Sequence, residues 1–386
     1  MIKHLRRSRI VRTIASLRLT VGCLVLAGVL ILAGTLAQVD RGIWQVQDIY
    51  FQSLVIWVPV GESLSLPLLP GGHLIGIVLV INLIAAHLVH FRLSWRKSGI
   101  QLIHAGLILV LVGQFVTDLF STESSLILDE GASRDFTESH FEVELALIDT
   151  SHPDRDVVYA IPWSRLVSGQ DIDESLPVRI RTVETLANSR IVNTSGHQLM
   201  PPDAEADQGL GVGLAVTEVS RATKTDERDV PAAYLEIGED GAAGTWLVST
   251  AINQPQSFDW QGKTYTLALR HQRHYMPYDI RLTDFTHEKH EGTEIPSSFV
   301  SRVEIVDASG KPRSQSIYMN HPMRLDGKTF YQASFANNDT TSILQVVDNP
   351  AWGMPYIASG MIGLGMAVQF GIGLTRSRRP KQEATE

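Results

Sequence analysis

Residues 98–117, SGIQLIHAGLILVLVGQFVT, carry no charge, and about 20 mostly apolar residues are what a helix needs to cross a bilayer. Within this run lies His104, an ionisable group in a place where such groups are costly and are kept for function or for helix packing. Three more uncharged stretches stand around it: LTVGCLVLAGVLILAGTLAQV at 19–39, a run centred on GGHLIGIVLVINLIAAHLVH within 63–91, and one centred on PYIASGMIGLGMAVQFGIGL within 349–375. Four transmembrane helices are therefore predicted, at 19–39, 72–91, 99–117 and 355–375. None ends in the small-residue pattern of a removable signal peptide, so the first is expected to be retained.

Charge in the short connections sets the expected orientation, because Lys and Arg are held on the cytoplasmic side. The first 18 residues hold Lys3, Arg6, Arg7, Arg9, Arg12 and Arg18, and no acid precedes Asp40. Arg92, Arg96 and Lys97 lie between the second and third spans, and Arg376, Arg378, Arg379 and Lys381 follow the fourth. Four spans put all three basic clusters on one side. The predicted order is a basic cytoplasmic N-terminus (1–18), the first span, an extracytoplasmic loop (40–71), the second span, a basic cytoplasmic loop (92–98), the third span, a large extracytoplasmic domain (118–354), the fourth span, and a cytoplasmic tail (376–386).

The large segment holds 36 Asp and Glu against 19 Lys and Arg, a net charge of −17 in a chain whose total is −8. So acidic a surface disfavours nucleic acid and suits a soluble domain outside the membrane. Runs such as FEVELALID, AAYLEIG, KTYTLALR, FVSRVEIVD and SILQVVD alternate apolar and polar residues with period two, the mark of half-buried strands. DASGK before Pro312, DWQGK before Thr264 and LDGK before Thr329 supply hairpin turns. The expected fold is thus a four-helix membrane part with a mainly-β extracytoplasmic domain, sandwich or barrel-like. HQLMPPDAEADQGLGVG and SRATKTDERDV read as loops, and glycines 209, 211 and 213 precede no helix signal, so they form no phosphate cradle.

Cys23, in the first span, is the sole cysteine, which rules out a dithiol reductase. HQRH (His271, His274) and HEKH (His287, His290) have the wrong spacing and local structure for a zinc hydrolase, whose paired histidines stand four apart on a helix. In the first outer loop, GIWQVQDIYFQSLVIWVPV carries Trp44, Tyr50, Phe51 and Trp57, a mix expected of an interfacial helix or aromatic belt.

The segment FVSRVEIVDASGKPRSQSIYMNHPMRLDGKTFYQASF, with DFTHEKHEGTEIPSS before it and VVDNPAWGMPYIASGMIGLGM after it, resembles the ResB family, also called CcsB, of cytochrome c biogenesis. The matching positions are Ser301, Val303, Asn320, Pro322, Gly327, Tyr331, Gln332, Asp348 and Pro350; Met323 stands where leucine is usual and Ala351 where glycine often follows the proline. Tyr331 and Gln332 would take opposite faces of a strand, and Asn320 and Gly327 would be turn residues. The resemblance implies a system II haem-delivery subunit in the inner (cytoplasmic) membrane, in contact with lipid and with both termini cytoplasmic. Its partner would be a CcsA/ResC-type protein with a tryptophan-rich WWD segment, and its client an apocytochrome c kept reduced by the thiol-reducing proteins of the pathway. The seven tryptophans here are scattered, so the WWD segment is expected on a separate polypeptide. A catalytic role is not assigned, and membership of a haem-lyase (synthetase) complex as a non-catalytic subunit is one reading.

The resemblance makes His104 the candidate axial ligand for haem b, shared with a histidine of the partner. A neutral imidazole suits reversible binding of haem iron. His104 lies about 7–8 Å inside the cytoplasmic end of its span and His87 about 6 Å from the same end, so His87 is the weaker second candidate. His90 and His73 read as interfacial. The competing reading is a membrane scaffold or apocytochrome chaperone that binds no haem, with His104 only packing.

Overall fold

The computed structural model describes residues 9–60, 64–90, 94–153, 155–172, 175–193, 205–222, 227–289, 292, 296–337 and 340–377. They fall into two compact units, one helical, from the chain's first 121 residues and 349–386, and one of strands, within 122–348. Of the positions read above, Lys3, Arg6, Arg7, Arg92, Arg378, Arg379, Lys381 and His290 lie outside the described residues, as do the side chains of Trp44, His90 and Arg376.

In the helical unit, Arg9–Ile14 (α1) and Leu17–Val46 (α2) are parted by a break at Ser16, whose Oγ accepts from the Leu19 amide at 3.3 Å and caps α2. A backbone break in lipid needs a partner for each freed polar group. Asn82, 2% exposed, supplies it: Nδ2 donates to the Ile14 and Ser16 carbonyls while Oδ1 accepts from Thr20 Oγ1 at 2.7 Å. Towards its other end α2 turns at Gly42, where φ is 73°, a left-handed value that glycine adopts freely. The chain then doubles back, and Phe51 packs on Gly34 so closely that a Cβ there would meet the ring at 2.8 Å.

Of the two readings of 42–60, interfacial helix or aromatic belt, the helical one holds only as far as Phe51; Val55–Val60 (β1) and Leu64–Pro70 (β2) form an antiparallel hairpin. The reason is Pro59, Pro67 and Pro70, which lack the amide that a helix interior requires. Gly72–His90 (α3), Ser98–Phe120 (α4) and, beyond the strands, Met354–Ser377 (α5) complete the unit. Four helical segments are long and apolar enough to span: Leu17–Ile43, Gly72–Val89, Trp95–Phe120 and Met354–Thr375. They correspond to the predicted four, but the first runs on through Asp40 and Arg41 to Ile43 and the third extends from Trp95 through Asp118 to Phe120.

α4 and α5 pack through a glycine face. Gly99, Gly106 and Gly113 are buried at intervals of seven, and a Cβ on each would lie 2.5 Å from the Gly365 carbonyl, 2.7 Å from Ile362 Cγ1 and 3.0 Å from Met354 Cβ, respectively. Small residues let membrane helices approach this closely. Thr117 and Asn349 exchange hydrogen bonds of 3.2–3.3 Å at the same end as Met354.

The strand unit is built on Thr122–Asp129 (β3), Ser133–Asp149 (β4), Val157–Pro162 (β5), Ile180–Leu186 (β6), Ser189–Asn193 (β7), Leu214–Glu218 (β8), Ala232–Ile237 (β9), Thr245–Ser249 (β10), Gln256–Trp260 (β11), Lys263–Lys289 (β12), Pro296–Asp307 (β13), Pro312–Tyr318 (β14), Met323–Leu325 (β15), Lys328–Ala336 (β16) and Thr341–Asp348 (β17). A ten-stranded antiparallel sheet runs β14-β13-β12-β4-β3-β17-β16-β15, with β11 on β12 and β5 on β4; β10-β9-β6 form a second sheet and β7-β8 a hairpin. β12, at 27 residues, far exceeds the usual strand. It bends at register shifts between His271 and Arg273, Tyr275 and Ile280, and Leu282 and Asp284, which let one strand serve both halves of the sheet.

Each half has its own core, made by inward positions two apart. One gathers Leu126, Leu128, Ile280, Leu282, Val303, Ile305, Phe330 and Leu344 inside the curled, nearly closed part of the sheet. The other joins Leu145, Leu147, Leu267 and Leu269 to Ile180, Leu235, Ile237 and Val248 of the three-stranded sheet. The expected alternatives, sandwich and barrel, thus each describe one half. The predicted turns occur where read, with Gln261, Gly262, Gly310, Asp326 and Gly327 at positive φ. Gly209–Gly211 form a single 3-10 turn leading into β8, not a helix.

Candidate functional site

α3 and α4 are consecutive helices that run antiparallel, and this brings His87 and His104 together. Their ring centroids stand 6.5 Å apart with planes 46° from one another. His104 Nδ1 lies 2.8 Å from the Ile100 carbonyl oxygen, one turn back along α4. A carbonyl only accepts, so Nδ1 carries the proton and Nε2 keeps its lone pair. That is the form of histidine that ligates metal, with the tautomer set by its second nitrogen.

The next residues along the same stripe of α4 are Leu107 and Leu111. With His104 they line a cavity of about 690 Å³ whose other walls are Leu83 and Ala86 of α3, Leu17 and Thr20 of α2, and Arg12 of α1. Glycines 99, 106 and 113 lie roughly 140–180° round the helix from His104, at about 100° per residue. One face of α4 is therefore spent on α5 and the other is left to the cavity. The walls are mostly apolar; Asn82 and Thr20 satisfy each other, and Arg12 stands at the end nearest the basic N-terminus. Sequence reading took Arg12 only as one of the basic N-terminal cluster and missed Asn82, although a lone asparagine inside IVLVINLIAAHLV was a signal of the same kind as His104.

Such a site has one imidazole whose neutral form presents the Nε2 lone pair, a second imidazole within reach, and no carboxylate. Among the described residues no three His, Cys, Asp or Glu side chains gather as a metal-ligand set, and a bare zinc or calcium ion needs more donors than these. A metal that brings its own equatorial ligands needs only one or two.

The remaining histidines lie elsewhere. His73 is at the other end of α3, beside Asp118. In the strand unit His271 and His274 sit on β12, and His287 is stacked between Phe299 and Phe335 at 4.7 and 4.6 Å.

The motif positions 301–350 build the nearly closed sheet. Ser301, fully buried on β13, hydrogen-bonds Gln332 of β16 at 2.5 Å and Ser342 of β17 at 2.7 Å, across the interior between strands that are not neighbours. Tyr331 points outward, so the two residues do take opposite faces. Asn320, at φ 61°, turns the chain so that the Tyr318 and His321 rings stack at 4.6 Å, joining the end of β14 to the start of β15. Asp348 takes an ion pair from Lys328 at 2.6 Å.

These features define a multi-pass membrane protein that carries a large antiparallel β unit and an imidazole pair beside an intramembrane cavity. Residues 248–372 match the ResB-like family, in the part of the chain that holds the 301–350 motifs. It is also 20% identical over 297 residues to Protein NrfI of Wolinella succinogenes, a match that covers 75% of this chain and 29% of that protein. The chain thus spans under a third of the length of this curated relative.

Proposed function

We propose that the protein acts in cytochrome c biogenesis, carrying haem b through the membrane with a CcsA/ResC-type partner and supporting its covalent attachment to apocytochrome c. The observation that carries this reading is His104, with its Nδ1 engaged by Ile100 and its Nε2 lone pair beside an apolar cavity of about 690 Å³. That volume lies in the range of pockets that enclose sizeable organic ligands. Haem brings four nitrogen ligands to its iron and two carboxylates at one edge, and so asks of a protein only axial ligands, apolar walls and a cation.

Each of those demands has a residue here. His104 Nε2 is the axial donor. Leu83, Leu107 and Leu111 exclude water from the ring face. Arg12 is the cation for the carboxylates, through charge-assisted hydrogen bonds. The opposing ligand comes from the partner protein or, within this chain, from His87, which already lies within ring-to-ring reach. On this reading the basic clusters face the cytoplasm at this end of the bundle and the acidic β unit lies outside, where apocytochrome c is met.

Spectroscopy of the detergent-purified protein with its partner tests the reading. The wild type is expected to hold low-spin haem; His104→Gly is expected to lose most of it and to regain the spectrum when imidazole is added. An unchanged Soret maximum and haem content in His104→Gly would leave His104 a packing residue and the chain a scaffold.

A further inference from the structure

α1 is six residues long, and a helix that short does not hold itself together in isolation. Its last turn leaves carbonyls with no partner inside the helix, so the place of everything on α1 depends on what receives them. Asn82 of α3 does so: Nδ2 donates to the carbonyl of Ile14, the final residue of α1, and at 3.2 Å to that of Ser16 in the break. Its Oδ1 accepts from Thr20 Oγ1 of α2 at 2.7 Å. One side chain, 2% exposed, thus ties the facing ends of two helices to a third.

Asn82 makes these bonds from within the wall of the cavity at His104. Leu79, Asn82, Leu83 and Ala86 form one stripe of α3 at helical spacing, and Arg12, Ala15 and Ser16 bring the break in α1–α2 to the same space. Among the described residues that line it, Arg12 alone carries a fixed charge. The Ile14 carbonyl that Asn82 holds is two residues beyond it. A tie needed only for packing could join α3 to any turn of α2; this one meets the end of the short helix that bears the cation.

We infer that Asn82 is a positioning residue: by holding the break it keeps Arg12 at the end of the cavity, and so gives the site its selectivity for a ligand that bears carboxylates. This rests on the haem-carrying function proposed above and separates recognition of the acidic edge from ligation of the iron. Arg12 touches the ligand and Asn82 does not. A cation placed before the ligand arrives spares binding the cost of ordering α1. Leucine at position 82 would suit the apolar run of α3, but it would leave the freed carbonyls of the break short of a donor inside the membrane.

The test compares binding of ferric haem and of its dimethyl ester to the full chain in detergent, for wild type, Arg12→Gln, Asn82→Leu, Thr20→Val and the 12/82 double variant. The ester keeps the ring and the iron and lacks the charges, so the ratio of the two dissociation constants reads the cation and is not moved by a general loosening of the cavity. Arg12→Gln is expected to lower the preference for the acid about 10–100-fold, the worth of hydrogen bonds between charged groups. Asn82→Leu is expected to lower it nearly as far, with no further fall in the double variant and with the Soret maximum of bound haem unchanged. Thr20→Val, which spares both donor bonds of Asn82, is expected to fall between, and it supplies the comparison if Asn82→Leu does not accumulate. A wild-type ratio in Asn82→Leu, or in Thr20→Val where the leucine variant is lost, refutes the positioning role and leaves the function above standing. So does a weakening of acid and ester by the same factor, which marks a purely structural tie. A wild-type ratio in Arg12→Gln refutes it as well, by removing the cation that Asn82 would place. An unchanged Soret band in His104→Gly overturns the function itself, whichever way the ratio falls.

Discussion

A histidine inside a membrane helix has two nitrogens to account for, and in this protein two such residues are accounted for differently: His104 spends Nδ1 on its own helix, His73 spends Nε2 on a neighbouring carboxylate. The first arrangement was legible in the sequence only as far as a histidine four residues after Ile100 in an apolar run. The second was not, because the partner of His73 lies 45 residues away. Residue chemistry in the β unit gives a prediction of its own. His271 and His140 are held below the ordinary histidine range, first by burial and then by the charge of Arg228. A folded-state pKa below the unfolded one means that the unfolded chain takes up the proton first, so their share of stability is full above about pH 6.5 and is lost as pH falls below it. His271→Gln is therefore expected to flatten the drop in stability between pH 7 and 5, measured by urea unfolding of the full protein. Asp149, bound by Lys263 at 2.8 Å and lowered to about 2, behaves as an acid does. Its contribution is present above the ordinary carboxylate range and is lost as pH falls towards 2, so Asp149→Asn should lower stability at neutral pH and converge with wild type in the acid limb.

Among elements, α4 is the most constrained, with one face given to glycines and the other to the cavity. Gly106→Ile is expected to force α5 away, since a Cβ already meets Ile362 Cγ1 at 2.7 Å and the Ala358 carbonyl at 3.0 Å. Overpacking of that kind costs about 1–3 kcal/mol, readable as a lowered melting temperature of the detergent-solubilised protein. Gly28→Ala on α2, where nothing lies within 4 Å, should leave it unchanged. Elements themselves were largely legible: five alternating runs became parts of β4, β9, β12, β13 and β17, and the Asp326-Gly327 and Gln261-Gly262 pairs made the turns read from them. What alternation cannot carry is partnership. It says which face of β12 is inward, not that β12 bends three times and pairs with β4 more than a hundred residues earlier. The outer loop shows a related limit: its aromatic content fits an interface, but its prolines decide between helix and hairpin.

At the scale of the whole molecule, four spans and three basic clusters predict a sidedness that one labelling experiment checks. Cys23 is buried and gives little background. Ser309→Cys, in the exposed turn between β13 and β14, is expected to react with an impermeant maleimide on intact cells, and Ser94→Cys, exposed between α3 and α4, only after permeabilisation. The opposite pattern would invert the protein and with it the direction of the haem movement proposed above.

The glycine face of α4 has a consequence for how the chain is made. Thr117 and its partner Asn349 are separated by 232 positions, so at about 5–20 residues per second α4 leaves the ribosome roughly 10–50 s before α5 exists to cover it. During that interval three glycines lie open to lipid or to whatever else approaches, while the β unit is being made. Closure of the helical unit thus waits on the synthesis of α5, and it reports that everything encoded between the two helices has already been made.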